Sequence, residues 1–96
     1  MELMVLSIMN GKKEYGDYQT PSYFSDEVCK YLKEIRHLNP SVVIEPTCGI
    51  GNFLRSSLIF DSSKNIGIEL NKEYCEKCKS KIKDSRIEII NCDFFD

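Results

Sequence analysis

The sequence predicts an α/β fold in which three short parallel strands alternate with helices. Runs rich in β-branched residues indicate the strands, at Ser41 to Glu45, Asn65 to Leu70 and Arg86 to Ile90. Before the first run and between the runs, apolar residues recur at steps of three and four, which is typical of amphipathic helices. This alternating order implies right-handed crossovers, and therefore a parallel sheet with helices on its faces.

The first helix is predicted between Pro21 and His37. Thr20 can cap it, Pro21 then takes the first helical position, and Asn39-Pro40 ends it. The apolar stripe of this helix consists of Phe24, Val28, Tyr31, Leu32, Ile35 and Leu38.

The elements that follow are shorter. Pro40 and Pro46 bound the first strand, and a second helix is predicted after Gly51. Asn71 is the expected cap of the third helix. Its inner stripe consists of Tyr74, Cys75, Cys78 and Ile82, and its lysines lie mostly outward.

Length and charge limit what the chain does alone. Its 96 residues and net charge of -2 suit one small domain and provide no basic face for autonomous binding to DNA phosphates. The apolar run from Met1 to Met9 contains Glu2 and lacks the basic start and the length of a signal peptide or membrane span. We therefore expect a cytoplasmic protein without a membrane partner.

The five cysteines are an odd set without the density of a secreted disulfide framework, so we expect reduced thiols. Cys75 and Cys78 form a C-x-x-C pair. Zinc would need a second pair or nearby histidines, and the single histidine, His37, is remote in sequence. No metal site is predicted.

Three acids, Glu45, Glu69 and Asp93, follow the three predicted strands at equal spacing. Ligands of parallel sheets bind outside the carboxyl ends of the strands, where these acids would meet. Glu45 could face an ammonium group, Glu69 could accept hydrogen bonds from ribose hydroxyls, and Asp93 could accept one from an exocyclic amino group. Each acid alone could equally be an ordinary strand-end residue, but together they describe a pocket for a cationic nucleoside.

The glycine loop after the first strand supports a small-ligand site. Gly49 and Gly51 allow a tight turn and close approach of a ligand, although the same pattern also occurs in plain strand-to-helix turns. A phosphate-binding P-loop is excluded because no Gly-Lys-Ser/Thr follows, and a dinucleotide fold is disfavoured because the third glycine is missing. Phe94 or Phe95 could pack on a purine, although a phenylalanine after a strand is usually core.

At this point the residues resemble a known family. Val43 to Leu54 resembles motif I of S-adenosylmethionine-dependent DNA methyltransferases of the amino class, which methylate adenine N6 or cytosine N4; it departs at Thr47 and Ile50, where the family usually has Ala and Ser. Gly67 to Leu70 resembles motif II and Asn91 to Phe95 motif III. Upstream, Tyr15 to Pro21 resembles motif X, which folds over the methionine part of the cofactor.

The resemblance implies S-adenosylmethionine as cofactor and a partial Rossmann-like methyltransferase fold. Residues 1–20 would form an amino-terminal segment with the motif X-like flap, and residues 21–96 a partial cofactor-binding domain. The implied cofactor-binding residues are Thr20, Pro21, Glu45, Thr47, Cys48, Gly49, Gly51, Phe53, Glu69, Asp93 and Phe94.

The catalytic signature of that family is missing from this chain. The family carries Asn, Asp or Ser followed by Pro, Pro and an aromatic, whereas the only prolines here are Pro21, Pro40 and Pro46. We therefore assign no catalytic residue and expect the chain alone to be inactive. DNA would bind only to the complete enzyme, of a restriction-modification system, with the remaining methyltransferase and target-recognition segments as partners.

Stopping after three strands would leave Val42 to Ile44 on an open sheet edge, from which we expect self-association. Two other interpretations stay open. The chain could be a non-catalytic cofactor-binding or dimerisation module that regulates another protein, or a fragment of an RNA or protein methyltransferase. An Asn-Pro-Pro-Tyr or Asn-Pro-Pro-Phe sequence shortly beyond residue 96 would favour the DNA methyltransferase.

Overall fold

The computed structural model describes residues 3–5, 21–46 and 48–94. Its sheet is parallel throughout, with its strands in chain order, which confirms the predicted fold class. In chain order the elements are β1 (Leu3–Val5), α1 (Ser22–Glu34), β2 (Val42–Glu45), α2 (Asn52–Ser56), a 3-10 turn (Ser57–Ile59), β3 (Lys64–Glu69), α3 (Lys72–Lys81) and β4 (Ile87–Asn91).

Strand β1 was not predicted, and it changes the edge of the sheet. Leu3–Val5 pairs in parallel with β2, with Leu3 opposite Val42 and Val5 opposite Ile44. The prediction that Val42 to Ile44 forms an open edge is therefore wrong. A strand of three residues is too short to show an alternating pattern within the apolar run that contains it.

Helix α1 begins one residue later and ends earlier than its pattern predicts. Pro21 is the N-cap, in an extended conformation, and its carbonyl accepts a hydrogen bond from the Ser25 N–H at 3.1 Å. The helix ends at Glu34, because His37 takes a positive φ of 55° and the Leu38 N–H turns back to the Leu32 carbonyl at 3.0 Å. Its length does not suffice to cross a membrane, nor does that of any other described helix.

The buried face of α1 also differs from the predicted stripe. Ser25 and Cys29 are its buried residues, whereas Tyr31 and Ile35 are 50% and 62% exposed. The Ser25 hydroxyl lies 2.8 Å from that of Ser56 in α2. A polar contact between two small side chains thus replaces an apolar one, which the apolar periodicity alone does not indicate.

The described helices pack on one face of the sheet, which we call the covered face. Cys29 of α1 packs with Val43 and Phe53, and Cys78 of α3 packs with Leu54 in a second cluster. The sheet residues that line this face are Met4, Val43, Asn65, Gly67, Ile87 and Ile89, which the strand register aligns.

The alternate residues of the strands point to the opposite side, which we call the open face. None of them enters the two apolar clusters formed by the described residues. This face also carries the ion pair of Lys64 and Glu88, at 3.3 Å. Its apolar residues are half-buried or exposed: Leu3, Val42, Ile44, Ile66, Ile68 and Ile90. The sequence analysis expected helices on both faces of the sheet, and the structure places the described ones on the covered face.

Two polar groups hold the connection between α2 and β3. Asn65 is fully buried, accepts a hydrogen bond from the Ser62 hydroxyl at 2.6 Å and lies 2.8 Å from the Ser57 hydroxyl, to which its amide donates. Arg86 donates to the carbonyls of Phe60 at 2.9 Å and Leu58 at 3.1 Å. These contacts fix the covered face below the glycine loop.

Candidate functional site

The glycine loop between β2 and α2 has the conformation that its two glycines allow. Gly49 and Gly51 have positive φ angles of 57° and 96°, and the Gly51 N–H donates to the Cys48 carbonyl at 2.8 Å. A Cβ on Gly51 would lie 2.5 Å from the Cys78 sulfur and 2.8 Å from Cδ1 of Ile82. Both the backbone angle and the close approach of α3 therefore require glycine at position 51.

Glu69 joins this loop to the start of α3. Its Oε1 accepts a hydrogen bond from the Gly49 N–H at 2.7 Å, and its Oε2 accepts one from the Asn71 N–H at 2.9 Å. An ionised carboxylate offers about four acceptor positions, so each oxygen keeps one for a further donor. The half-buried side chain is thus held in place and can still bind a ligand.

The turn after Glu69 is held from both sides. Asn71 caps α3 as predicted, with Oδ1 accepting from the Tyr74 N–H at 3.1 Å. From β4, the Asn91 amide donates to the carbonyls of Glu69 and Leu70 at 2.9 Å each. The sequence analysis gave Asn91 no role of its own. The signal that could have found it is its position at the end of β4, opposite Glu69 in the sheet register.

The acids at the strand ends do not lie at one level. Glu69, the last residue of β3, is opposite Asn91, whereas Glu45, the last residue of β2, is opposite Gly67. Glu45 is only 4% exposed, so its carboxylate lies inside the fold below the loop. Asp93 follows β4 and is half-buried. Of the three acids, Glu69 makes the direct contact with the glycine loop.

Phe94 and Phe53 occupy different environments. Phe94 follows Asp93 and is 46% exposed, which leaves an apolar surface beside the end of β4. Phe53 is 4% exposed and packs edge-on against Phe24 with ring centroids 6.3 Å apart, so it stabilises the core beneath the loop. Pro21 lies exposed at the start of α1, whereas Thr20 and Thr47 fall outside the described residues.

Cys48 lies in a buried thiol pair with Cys78. The hydrogen bond between the two thiols and burial raise the pKa of Cys48, so this thiol stays protonated at neutral pH. A Cβ on Gly67 would lie only 2.8 Å from the Cys48 sulfur, so this thiol fills the space beside β3. The structure therefore gives Cys48 a packing role between the loop, β3 and α3.

The comparisons with known proteins agree with this geometry. No protein-family model matches the chain. The type II methyltransferase M.NspV from Nostoc sp. (strain ATCC 29411 / PCC 7524) is 40% identical over 97 aligned residues, which cover 96% of this chain. The chain is homologous to a segment of this type II methyltransferase. The predicted resemblance to a methyltransferase is thereby confirmed.

A solved structure supports the fold of this methyltransferase segment. A candidate RNA methyltransferase from Pyrococcus horikoshii superposes with a TM-score of 0.71 over 93% of the chain, at 18% sequence identity. At that identity the likeness shows a shared fold. The chain spans 20% of the length of M.NspV and 46% of the Pyrococcus protein.

Proposed function

We propose that this methyltransferase segment binds S-adenosylmethionine as part of a restriction-modification DNA methyltransferase that methylates adenine N6 or cytosine N4. The observation that carries the proposal is the pair of hydrogen bonds that the Glu69 carboxylate accepts from the Gly49 and Asn71 N–H groups, which brings the acid and the glycine loop together at the carboxyl edge of the sheet. The similarity to M.NspV, a type II methyltransferase, supports the choice of a restriction-modification enzyme.

The residues around Glu69 fit this cofactor in charge and shape. Glu69 keeps acceptor positions for the two ribose hydroxyls, and the exposed ring of Phe94 offers a surface for the adenine. Asp93 would accept from the adenine amino group. Glu45, buried below the loop, would face the cationic methionine end, and the loop backbone at Gly49 would lie close to it. Bound there, S-adenosylmethionine supplies the methyl group.

Five further residues complete the proposed site. Thr20 and Pro21 would form the flap over the methionine part, with Pro21 exposed at the start of α1. Thr47 would contribute through the loop backbone. Cys48 and Phe53, which are buried, support the loop from beneath.

The test is a calorimetric titration of the full chain with S-adenosylmethionine. We expect a dissociation constant in the micromolar to sub-millimolar range, roughly 5 to 8 kcal/mol. Glu69→Gln should weaken binding by about 1.5 to 3 kcal/mol. The glutamine amide has one acceptor oxygen where the carboxylate has two, and its NH2 group would face the Asn71 N–H, which is also a donor. Glu76→Gln, an exposed change on α3, is the matched control and should bind as the unchanged chain does.

Either of two outcomes would contradict the proposal. A folded chain that does not bind S-adenosylmethionine would show that this segment forms no cofactor site by itself. Equal affinities for the Glu69→Gln and Glu76→Gln variants would show that any binding site lies elsewhere. If the chain binds S-adenosylmethionine but no longer form of the protein methylates a DNA base, a regulatory cofactor-binding module would be favoured.

We propose that the chain alone transfers no methyl group. Its three prolines are separated in sequence, so it contains no Asn-Pro-Pro-aromatic sequence to hold a flipped base. A transfer assay with radiolabelled S-adenosylmethionine should give no label on DNA. Label on RNA or on protein would instead support the corresponding alternative substrate class.

We propose that further methyltransferase polypeptide covers the open face of the sheet and supplies the binding of DNA. The face is mostly apolar, and parallel sheets are stable when both faces are covered. The lengths of the two relatives support such a partner, because this chain spans only part of each. Ile66 and Ile68 lie at the centre of the face, in the middle of β3.

This partner proposal is tested by sedimentation of the chain alone. The apolar residues of the open face should cause self-association, and Ile66→Ser, which changes one of them, should reduce it. Tyr31→Ser introduces the same residue on the exposed side of α1, so it is the control and should leave self-association unchanged. A monodisperse monomer at high concentration would count against the proposal.

A further inference from the structure

Asn91 makes two hydrogen bonds that reach across the edge of the sheet. Its Nδ2 donates to the carbonyls of Glu69 and Leu70, at 2.9 Å in both cases. The two residues that it holds begin the turn between β3 and α3. A single amide thus ties this turn to the end of β4, two residues before Asp93.

The turn that Asn91 holds also carries the site's central carboxylate. Glu69 contacts Gly49 through Oε1 and Asn71 through Oε2, while its main-chain carbonyl accepts from Asn91 and, at 3.3 Å, from the Cys75 thiol. The backbone of Glu69 is therefore held from two sides and its side chain from two others. A shift of this backbone would move the carboxylate away from the glycine loop.

We infer that Asn91 is a positioning residue that sets the orientation of Glu69 toward a ligand that offers two hydroxyl groups, such as a ribose. This inference rests on the proposed function and deepens it, because it assigns the precision of the ribose contact to a residue that does not itself touch the ligand. The amide suits the task because it presents two N–H donors from one planar group. Aspartate at this position would present only acceptors toward two carbonyl oxygens.

The experiment compares two ligands in calorimetric titrations of the full chain. The first is S-adenosylhomocysteine, and the second is its analogue that lacks both ribose hydroxyls. We expect Asn91→Ala to weaken binding of the first by about tenfold and of the second by about twofold or less, since contacts acting through one hydrogen-bond network are coupled. Asn91→Ser, which retains one donor, should fall between the alanine variant and the unchanged chain.

A double-variant measurement tests whether Asn91 acts through Glu69. With Glu69→Gln already present, adding Asn91→Ala should cost about threefold or less, because the carboxylate that it positions is gone. Glu88→Gln, on the open-face side of β4, is the matched control and should leave both affinities unchanged. Thermal unfolding of each variant identifies any loss of affinity that merely reflects an unfolded fraction.

The possible results separate this inference from the proposed function. If the unchanged chain binds neither ligand, the proposed cofactor site is refuted, and the inference fails with it. If the unchanged chain binds the ligands and the Asn91→Ala variant binds each of them as tightly as the unchanged chain does, only the inference fails. An equal loss for both ligands, or a full additional loss in the Glu69→Gln background, would also overturn it, because either result indicates a general structural role.

Discussion

Replacing Gly51 with alanine should destabilise the protein through two effects that the structure separates. The φ of 96° at Gly51 is one that side chains rarely adopt, and left-handed backbone costs an L-residue about 1 to 2 kcal/mol. The added methyl would also lie 2.5 Å from the Cys78 sulfur, and such overpacking costs about 1 to 3 kcal/mol. The combined loss of about 2 to 5 kcal/mol is large beside the stability of about 5 to 14 kcal/mol expected for a domain of this length.

Two variants isolate the parts of that loss. Gly67 has no positive φ, and a Cβ there would lie 2.7 Å from Cδ2 of Leu54, so Gly67→Ala should show the crowding alone. Conversely, Gly51→Ala introduced into a Cys78→Ala background removes the sulfur contact. Its penalty there should be smaller than in the unchanged chain, and it should consist of the backbone term of about 1 to 2 kcal/mol and the remaining contact with Cδ1 of Ile82.

The assay is urea unfolding followed by circular dichroism, with the midpoint and slope measured for each variant. A lower midpoint at unchanged slope reports a loss of stability. If Gly51→Ala unfolds at the same urea concentration as the unchanged chain, the described loop conformation is wrong. If the penalty is equally large in the Cys78→Ala background, the Cys78 sulfur is not what excludes a side chain at position 51.

Three further predictions concern buried and charged groups. Asn65→Leu should lower the unfolding free energy by about 1 to 3 kcal/mol in urea titrations, because it leaves the buried Ser62 hydroxyl without its acceptor and removes the donor to the Ser57 hydroxyl. Hydrogen bonds from Arg86 lower the pKa of Asp84 below its ordinary value of 3.8. The stability that this carboxylate contributes is therefore present above the ordinary pKa and is lost as the pH falls through the pKa of the folded state. Asp84→Asn should consequently make the free energy of unfolding depend less on pH below about pH 4. Of the five cysteines only Cys92 is exposed. Alkylation of the native protein, followed by mass spectrometry, should therefore label Cys92 first and the other cysteines only after unfolding. Rapid labelling of Cys29, whose pKa is raised by burial to about 12, would refute this prediction.

The strands and α3 could be predicted from the sequence because local chemistry decides them. The β-branched runs bounded by Pro40 and Pro46 or by polar residues correspond to β2 through β4 within one or two residues. Asn71 caps α3 because its short side chain satisfies a free N–H, wherever the helix packs. These features depend on neighbours in sequence, which the sequence displays directly.

What could not be predicted depends on pairing over long distances. Leu3–Val5 becomes a strand only because β2 offers it a free edge, and Ser25 is buried only because Ser56 meets it from another helix. The three acids could be assigned to one edge of the sheet, but their levels could not. The register places Glu45 opposite Gly67 and therefore below the surface.

The difference between Glu45 and Glu69 explains how one sheet edge can carry two kinds of acid. Glu45 is buried at the end of a central strand, so it can act on a ligand only from below the loop. Glu69, one strand further, keeps free acceptor positions because backbone N–H groups occupy only one position on each oxygen. The register therefore divides the proposed roles: Glu45 would face the ligand from below the loop, and Glu69 would make the directional contacts. Asn91, opposite Glu69 on the next strand, follows the same logic, because a residue at that register position can reach the turn that orients the contact.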